Sequence, residues 1–380
     1  MITFAVILVL LLLAYTGLIG YYHRSWKALP TATAVPVEFI PETFVTVLIP
    51  ARNEARQIRA LLHSYLQQNY PPHLRQCIVI DDCSEDETAR LVMEFQSFGI
   101  QLIRLSEQVL DQPINSYKKK AIETGIAASS GTLLLTTDAD CILPPNWILQ
   151  HVYLHQQKGM VFIAGPVKIL PTKNWLNRFQ ALDFISLQGI TGASLFKNLY
   201  AMCNGANLSY TRQAFEAVRG FEGIDQIASG DDMLLMQKIS SRFPGRVAYL
   251  KSAEAIVETA AMPDLAAFLQ QRIRWASKAT RYKEASIQWV LLLVYLLNLG
   301  LLVFFIAGLF SPAWIPVSLA LLLFKALIEW PFMATVASFF GYSSLVAWFP
   351  FFQPLHIVYT VAAGAFGQMG AYHWKGRKVR

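Results

Sequence analysis

The run Thr132-Leu133-Leu134-Leu135-Thr136-Thr137-Asp138-Ala139-Asp140 joins an uncharged stretch of strand length to two carboxylates one residue apart. A short continuous apolar run of this kind marks a strand buried on both faces. Three similar runs precede it: Phe44 to Pro50, Gln76 to Ile80, and Ile100 to Leu105. Between them, Ala55 to Gln68 and Lys119 to Ala128 have helical spacing. Ser84 is placed to cap a helix from about Glu85 to Phe98. The alternation predicts an open α/β sheet. Its polar residues gather at the C-terminal strand ends, the edge where such sheets bind ligands. Asp81-Asp82 ends the second strand as Asp138-Ala139-Asp140 ends the fourth.

The chain has 380 residues, of which 54% are hydrophobic and only 15% charged. The apolar excess is concentrated. Met1 to Tyr22 and Ala285 to Phe310 carry no charge, and Leu345 to Tyr372 has only His356 as a potential one. A helix needs about 20 residues to cross the hydrocarbon core. The region Pro312 to Phe340 carries Lys325 and Glu329 at i, i+4 spacing, which predicts a neutralised pair on one tilted helix. The first apolar segment lacks a basic leader and reads as an uncleaved anchor. His23, Arg24 and Lys27 follow it, which puts the next domain on the cytoplasmic side of the inner or plasma membrane.

The expected organisation is a transmembrane helix over 1–22, a linker over 23–44 and a catalytic domain over 45–260. An interfacial helix over 261–284, a C-terminal transmembrane region over 285–372 and a basic tail over 373–380 follow. One early crossing and about three later ones leave that tail outside, against its charge. Pro350 and Pro354 make Leu345 to Tyr372 the stretch expected to deviate.

The net charge is +7. Arg272, Arg274, Lys278, Arg281 and Lys283, with Lys375, Arg377, Lys378 and Arg380 in the tail, flank apolar segments. That suits an anionic leaflet and disfavours nucleic acid. The four cysteines (Cys77, Cys83, Cys141, Cys203) form no CxxC, so neither zinc nor a disulfide framework is expected.

Five polar clusters carry the chemistry. Asp138 and Asp140 can meet one hard cation through oxygen, and a cation there would hold a diphosphate. Asp81-Asp82 either starts a capped helix or accepts a base-ring N–H, which would favour uracil. Lys118-Lys119-Lys120 is a solvated charge run or supplies a phosphate ligand. Asp231-Asp232 follows Gly230 at the start of a helix from Met233. It either complements the helix dipole or supplies a general base. Gln271, Arg274, Trp275 and Lys278 share a helical face after Pro263-Asp264. That face suits diphosphate and sugar binding, an interfacial helix with snorkelling cations, or both.

Together these motifs resemble the membrane-associated, inverting glycosyltransferases of family 2. The residues carrying the resemblance are Val47 to Glu54, Val79 to Ser84, Asp138-Ala139-Asp140, Asn204-Gly205-Ala206-Asn207, Gly230-Asp231-Asp232 and Gln271-Arg272-Ile273-Arg274-Trp275. It implies a GT-A fold, a Rossmann-like mixed sheet, with one transmembrane helix before it and about three after.

The resemblance also implies roles. Ala51, Glu54, Asp81, Asp82, Lys118 and Asp138 contact the nucleotide. Asp140, with Asp138, holds Mg²⁺ or Mn²⁺. Asp232 is the base, with Asp231 its close rival. Asn204, Gly205, Gln271, Arg274 and Trp275 serve the diphosphate, sugar and acceptor. Two positions depart from the family pattern: Tyr117 stands where glycine is usual before Lys118, and Asp231 where glutamate is usual. The implied partners are a nucleotide-sugar donor, UDP-linked, and a hydroxyl of a membrane lipid. A processive synthase of the poly-N-acetylglucosamine type is the alternative, for which so few crossings are a thin supply. A catalytically inactive nucleotide-binding scaffold is the reading from another class.

Overall fold

The computed structural model describes residues 2–108, 116–200, 202–227, 230–277 and 284–368, and the backbone alone at 372–374 and 377–379. The chain divides into two compact units. One is α/β and comprises Leu29–Leu170 and Ser194–Ala260. The other is helical and comprises the N-terminal helix, Pro171–Ala193 and Ala261–Trp374.

Among the described residues, ten strands build the α/β unit: β1 (Val45–Ala51), β2 (Arg75–Asp81), β3 (Ile100–Arg104), β4 (Leu133–Thr136), β5 (Cys141–Ile142), β6 (Phe162–Ala164), β7 (Val167–Ile169), β8 (Leu208–Thr211), β9 (Val247–Tyr249) and β10 (Val257–Thr259). Seven form one mixed sheet in the order β3-β2-β1-β4-β8-β6-β9. The first four run parallel. β8 is inserted antiparallel between β4 and β6. A small second sheet has the order β5-β10-β7. Val47, Leu48 and Ile49 of β1 and Leu133, Leu134 and Leu135 of β4 are fully buried, as apolar strands covered on both faces must be.

Register explains what the sheet brings together. Ala51 of β1 pairs with Asp81 of β2, so their following loops leave the sheet side by side. Leu208 pairs with Thr136 in the antiparallel sense. The loop entering β8, Asn204 to Asn207, therefore meets the end of β4 just before Asp138.

Ser84 does not cap the next helix. That helix is short, Thr88–Met93, and has no side-chain cap. The Ser84 hydroxyl instead accepts the Asn53 N–H (3.0 Å), and the Ser84 N–H donates to Asp81 Oδ2 (3.3 Å). Ser84 thus laces two strand-end loops, which satisfies polar groups that a helix start would otherwise claim.

Among the described residues of the helical unit, four helical stretches are long and apolar enough to cross a membrane: Ile2–Ala28, Ala285–Phe310, Pro312–Phe339 and Ser343–Gly367. The first runs on through His23, Arg24 and Lys27. It buries Leu8, Leu12, Tyr15, Ile19, Tyr22 and Trp26 along one stripe and exposes Leu10 and Leu13. An apolar outward face of this kind needs lipid rather than water around it. Gly300 lets the first helix come close, since a Cβ there would stand 2.5 Å from Leu8 Cδ2.

The prolines do not interrupt the last span. The helix Phe349–Gly367 is continuous. Pro350 lies in its first turn, where no N–H is needed, and Pro354 is accommodated inside it.

Lys325 and Glu329 do pair (2.7 Å). Lys325 is fully buried and also donates to Gln353 Oε1 (2.7 Å). The Gln353 amide and the Tyr15 hydroxyl donate to Glu329. A second buried network joins the helices Trp175–Phe196, Leu265–Ala276 and Phe349–Gly367. Arg272 donates from Nε (3.1 Å) and Nη2 (2.5 Å) to Asp183 Oδ2, and the Tyr359 hydroxyl donates to Asp183 Oδ1.

Candidate active site

The site at the sheet edge is built around Lys118. The helix Tyr117–Ala127 delivers its ammonium to Asp138 Oδ1 (2.7 Å), just beyond β4, and to Asp231 Oδ2 (3.2 Å). Burial opposes the charged ammonium, but the carboxylates of Asp138 and Asp231 outweigh it and hold its pKa above the ordinary lysine range. The neighbouring Lys119 takes a structural part, donating from its buried end to the carbonyls of Ile224 and Ile227. One lysine of the triplet thus meets the acids and the next braces a turn.

Asp232 sits at the N-terminus of the helix Met233–Arg242. Its Oδ1 accepts the Met233 N–H (2.7 Å) and its Oδ2 accepts the Gly205 N–H (3.2 Å). Each oxygen keeps a second lone pair. Gly205 leaves little space here: a Cβ would stand 3.1 Å from Lys118 Nζ, whose end would have to give by a few tenths of an ångström, and 3.4 Å from Asp231 Oδ2. Asn204 shapes the turn, its side-chain oxygen accepting the Ala206 N–H (2.9 Å) and its carbonyl the Asn207 N–H (3.1 Å). The structure thus brings Lys118, Asp138, Gly205, Asp231 and Asp232 into one cluster.

Asp140 lies against the second sheet, where Thr259 pairs with Cys141. The Thr259 hydroxyl donates to Asp140 Oδ2 (3.4 Å) and the Cys141 thiol to Oδ1 (3.7 Å). Burial, then the carboxylates of Asp140 and Asp138, push the Cys141 thiol pKa up, so it stays protonated beside them. Among the described residues, no group of three or more His, Cys, Asp or Glu side chains converges closely enough to hold a metal ion. Mg²⁺ can take just one or two carboxylates and complete its shell with substrate phosphate and water, so Asp140 and Asp138 are chemically suited to it, although Lys118 already occupies Asp138 Oδ1.

Next to the ends of β2 and β3 opens a cavity of about 810 Å³, whose lining includes Arg52, Asp81, Cys83, Ser84, Arg104 and Ser106. Asp81 is almost fully buried, and its Oδ1 has no hydrogen-bond partner. A buried, unmet carboxylate oxygen is costly unless a ligand supplies a donor. Arg52 holds the wall, donating to the carbonyls of Asp82 (3.0 Å) and Cys83 (2.6 Å) and pairing with Glu85 (3.0 Å). Asp82 is buried beside it, its N–H donating to the Ala51 carbonyl (2.8 Å). The Glu54 N–H donates to Thr88 Oγ1 (2.8 Å), so the Glu54 backbone belongs to the same lacing.

Gln271, Arg274 and Trp275 belong to the helical unit, on a helix that Asp264 caps through the Ala267 N–H (2.8 Å). Gln271 Oε1 accepts from Arg272 Nη1 (2.7 Å), and the Arg272 guanidinium lies 4.3 Å from the Trp275 ring centre. All three are partly exposed. Lys278, Arg281, Lys283, Lys375 and Arg380 lie outside the described residues, as do the side chains of Arg377 and Lys378.

The sequence reading passed over Arg104, Ser106, Thr259 and His151. Thr259 and His151 reach their partners through strand pairing or packing between distant segments, for which the local sequence carries no signal, and Arg104 and Ser106 are placed by the cavity they line. Asn207 was noted only as part of its loop.

The glycosyl transferase family 2 description matches residues 46–219, and that of glycosyl transferase family group 2 matches residues 133–363. An N-acetylglucosaminyltransferase of Rhizobium meliloti is 27% identical over 281 residues, 72% of this chain and 64% of that protein. A dolichyl-phosphate beta-glucosyltransferase of Trichomonas vaginalis is 33% identical over 129 residues, 32% of this chain and 37% of that protein. The first relatives are matched over 40% to 64% of their own length. Among solved structures, the mannosyltransferase PcManGT of Pyrobaculum calidifontis, in complex with GDP-Man and Mn²⁺, superposes with a TM-score of 0.58 at 19% identity. The match covers 96% of this chain and 99% of that one and shows a shared GT-A fold.

Proposed function

The chain belongs to glycosyl transferase family group 2, and from that membership we propose a membrane-bound inverting enzyme that moves a sugar from a UDP-sugar to a hydroxyl of a membrane lipid. Asp232 takes the proton of the acceptor hydroxyl as that oxygen attacks the anomeric carbon. The bond from the anomeric carbon to the diphosphate breaks, and its electron pair leaves with UDP. When bound, Mg²⁺ or Mn²⁺ on Asp140 and Asp138 supplies charge neutralisation to the diphosphate.

Lys118 sits within the acid cluster as a phosphate ligand. Asp81 accepts the base-ring N–H, with Ala51, Glu54 and Asp82 framing the nucleotide. The roles of Arg274 at the diphosphate, and of Gln271 and Trp275 at the acceptor, are proposed on their motif alone. The α/β unit faces the cytoplasm, in keeping with the basic residues His23, Arg24 and Lys27 that end the first apolar helix.

One observation carries this reading: at the end of β4, Lys118 bridges Asp138 and Asp231 while the Gly205 N–H orients Asp232. The unmet oxygen of Asp81 supports a nucleobase in the adjoining cavity. The four apolar helical stretches, and a relative named for dolichyl phosphate, support a lipid acceptor. Asp232→Asn should lower transfer at least about a thousandfold while UDP affinity stays within about threefold. Full transfer by that variant removes Asp232 as the base. An acceptor phosphate is already ionised and needs no base, so that outcome would also point to a lipid phosphate.

The match to an N-acetylglucosaminyltransferase over 72% of this chain supports N-acetylglucosamine as the sugar moved, the sugar of a second reading, a processive synthase of the poly-N-acetylglucosamine type. Product mass after incubation with a UDP-sugar screen and membrane lipids separates one transferred sugar from a chain.

A further inference from the structure

Asn207 is fully buried, and all four of its side-chain hydrogen-bonding capacities are filled. Its Oδ1 accepts from Trp147 Nε1 (2.8 Å) and faces His151 Nε2 (2.8 Å). Its Nδ2 donates to the carbonyls of Pro166 (2.8 Å) and Ala255 (2.8 Å). The chemistry fixes the amide orientation, because an indole N–H only donates and a backbone carbonyl only accepts. The proton of His151 therefore lies on Nε2, and Nδ1 accepts from the Ser209 hydroxyl (2.8 Å). Burial keeps the imidazole neutral, lowering its pKa to about 4 against the upward pull of the Asn207 side chain.

This hub is two residues from Gly205. The turn's own bonds, from the Asn207 N–H to Asn204 O and from the Ala206 N–H to Asn204 Oδ1, fix its shape. They do not fix where it stands. The Asn207 side chain helps to, by tying the turn to the helix Trp147–Lys158, to the residue before β7 and to the turn Ala253–Ala255, alongside the Thr136 hydroxyl that donates to the Gly205 carbonyl (3.2 Å). The Asn207 carbonyl adds a bond from the Gly165 N–H (2.8 Å). A Cβ on Gly165 would come 2.3 Å from Asn207 Oδ1, so only glycine at 165 lets the side chain lie here.

We propose that Asn207 and His151 are positioning residues for the transfer reaction: they hold the Gly205 N–H where it aligns the Asp232 carboxylate. This rests on the reading of Asp232 as the base. The hub touches neither the cavity beside Asp81 nor Lys118. Its loss should therefore cost turnover and spare nucleotide binding.

The test compares His151→Gln, which keeps an N–H for Asn207, with His151→Met, which fills similar space without one. Turnover per folded molecule, KM for the UDP-sugar, UDP affinity and thermal midpoint are measured for each. His151→Met should lower kcat about tenfold or more, with KM and UDP affinity within about threefold, since small misplacement of a reacting group has costs of this order. His151→Gln should recover kcat to within about threefold of the parent.

If His151→Met does not fold, Ser209→Ala frees the imidazole without opening a large cavity and should lower kcat severalfold with KM unchanged. Equal kcat in the parent, His151→Met and Ser209→Ala overturns the proposal, as does a loss in His151→Met that His151→Gln fails to recover. Asp232→Asn is run alongside. If it is inactive while the His151 and Ser209 variants are fully active, the positioning role falls and the base stands. If Asp232→Asn is active, the base reading itself has failed.

Discussion

Replacing Arg272 by Met should destabilise the helical unit by about 3–5 kcal/mol, the usual cost of removing one partner of a buried ion pair. The figure follows from what is left behind. The Asp183 and Arg272 side chains are 2% and 4% exposed, so a lone Asp183 carboxylate would keep the Tyr359 hydroxyl and lose both guanidinium contacts. Charge-assisted bonds of this kind each contribute about 1.5–3 kcal/mol. The guanidinium also lies 4.6 Å from the Phe268 ring centre and 4.3 Å from that of Trp275, contacts that Met replaces only in part. Because most of the cost is an orphaned charge, Asp183→Leu combined with Arg272→Met should cost at least about 2 kcal/mol less than the two single changes added together. Equilibrium unfolding by sodium dodecyl sulfate in mixed micelles supplies all four corners of the cycle. Additive losses, or a single-variant loss below about 1 kcal/mol, would refute the argument that this pair is electrostatically coupled and dry.

Three further outcomes are expected. Gly205→Ala should push the flexible end of Lys118 away from Asp231, lowering kcat about tenfold or more; stability should fall by only about 1 kcal/mol, the scale of one partly exposed ion pair, and unchanged turnover in a steady-state assay would count against the cluster. His151 has a folded pKa of about 4 against an ordinary 6.5, so stability is lost as pH falls below 6.5 and levels off below 4, a change of about 3 kcal/mol. The stability difference between the parent and His151→Gln should shift by that amount between pH 7 and pH 4 in urea titrations, and a pH-independent difference contradicts a neutral buried imidazole. Asp81→Asn should weaken UDP binding about tenfold by calorimetry, because the unmet oxygen becomes a neutral acceptor and its amide faces the Ser84 N–H; unaltered affinity would dissociate Asp81 from the base.

The sequence located much of this architecture because the first four strands are local signals. Observed β1, β2, β3 and β4 start and end within a residue or so of the apolar runs that announce them. The acids follow those runs directly, so their place at the sheet edge was legible too. The meeting of Asp138 with the Asn204 to Asn207 loop was not, because it depends on β8 entering antiparallel between β4 and β6. Ser84 misled because its pattern suits a cap, and only the partner loop around Asn53 reveals the competing bond. Pro350 and Pro354 misled because a proline's effect depends on which turn of the helix it occupies. A lone histidine such as His151 has no pattern to read, and its significance comes wholly from Asn207 and Ser209.

The buried Lys325–Glu329 pair has a consequence for biogenesis. Its helix reaches the bilayer carrying two charges that pair with each other and whose further partners lie far apart in the chain: Tyr15 is made long before it, and Gln353 after it. A nascent chain halted short of residue 353 has to hold that helix in the membrane with the two charges facing only each other and the Tyr15 hydroxyl. Such a fragment keeps a costly polar pair only partly satisfied in the bilayer until the last helix brings the Gln353 amide to both charges.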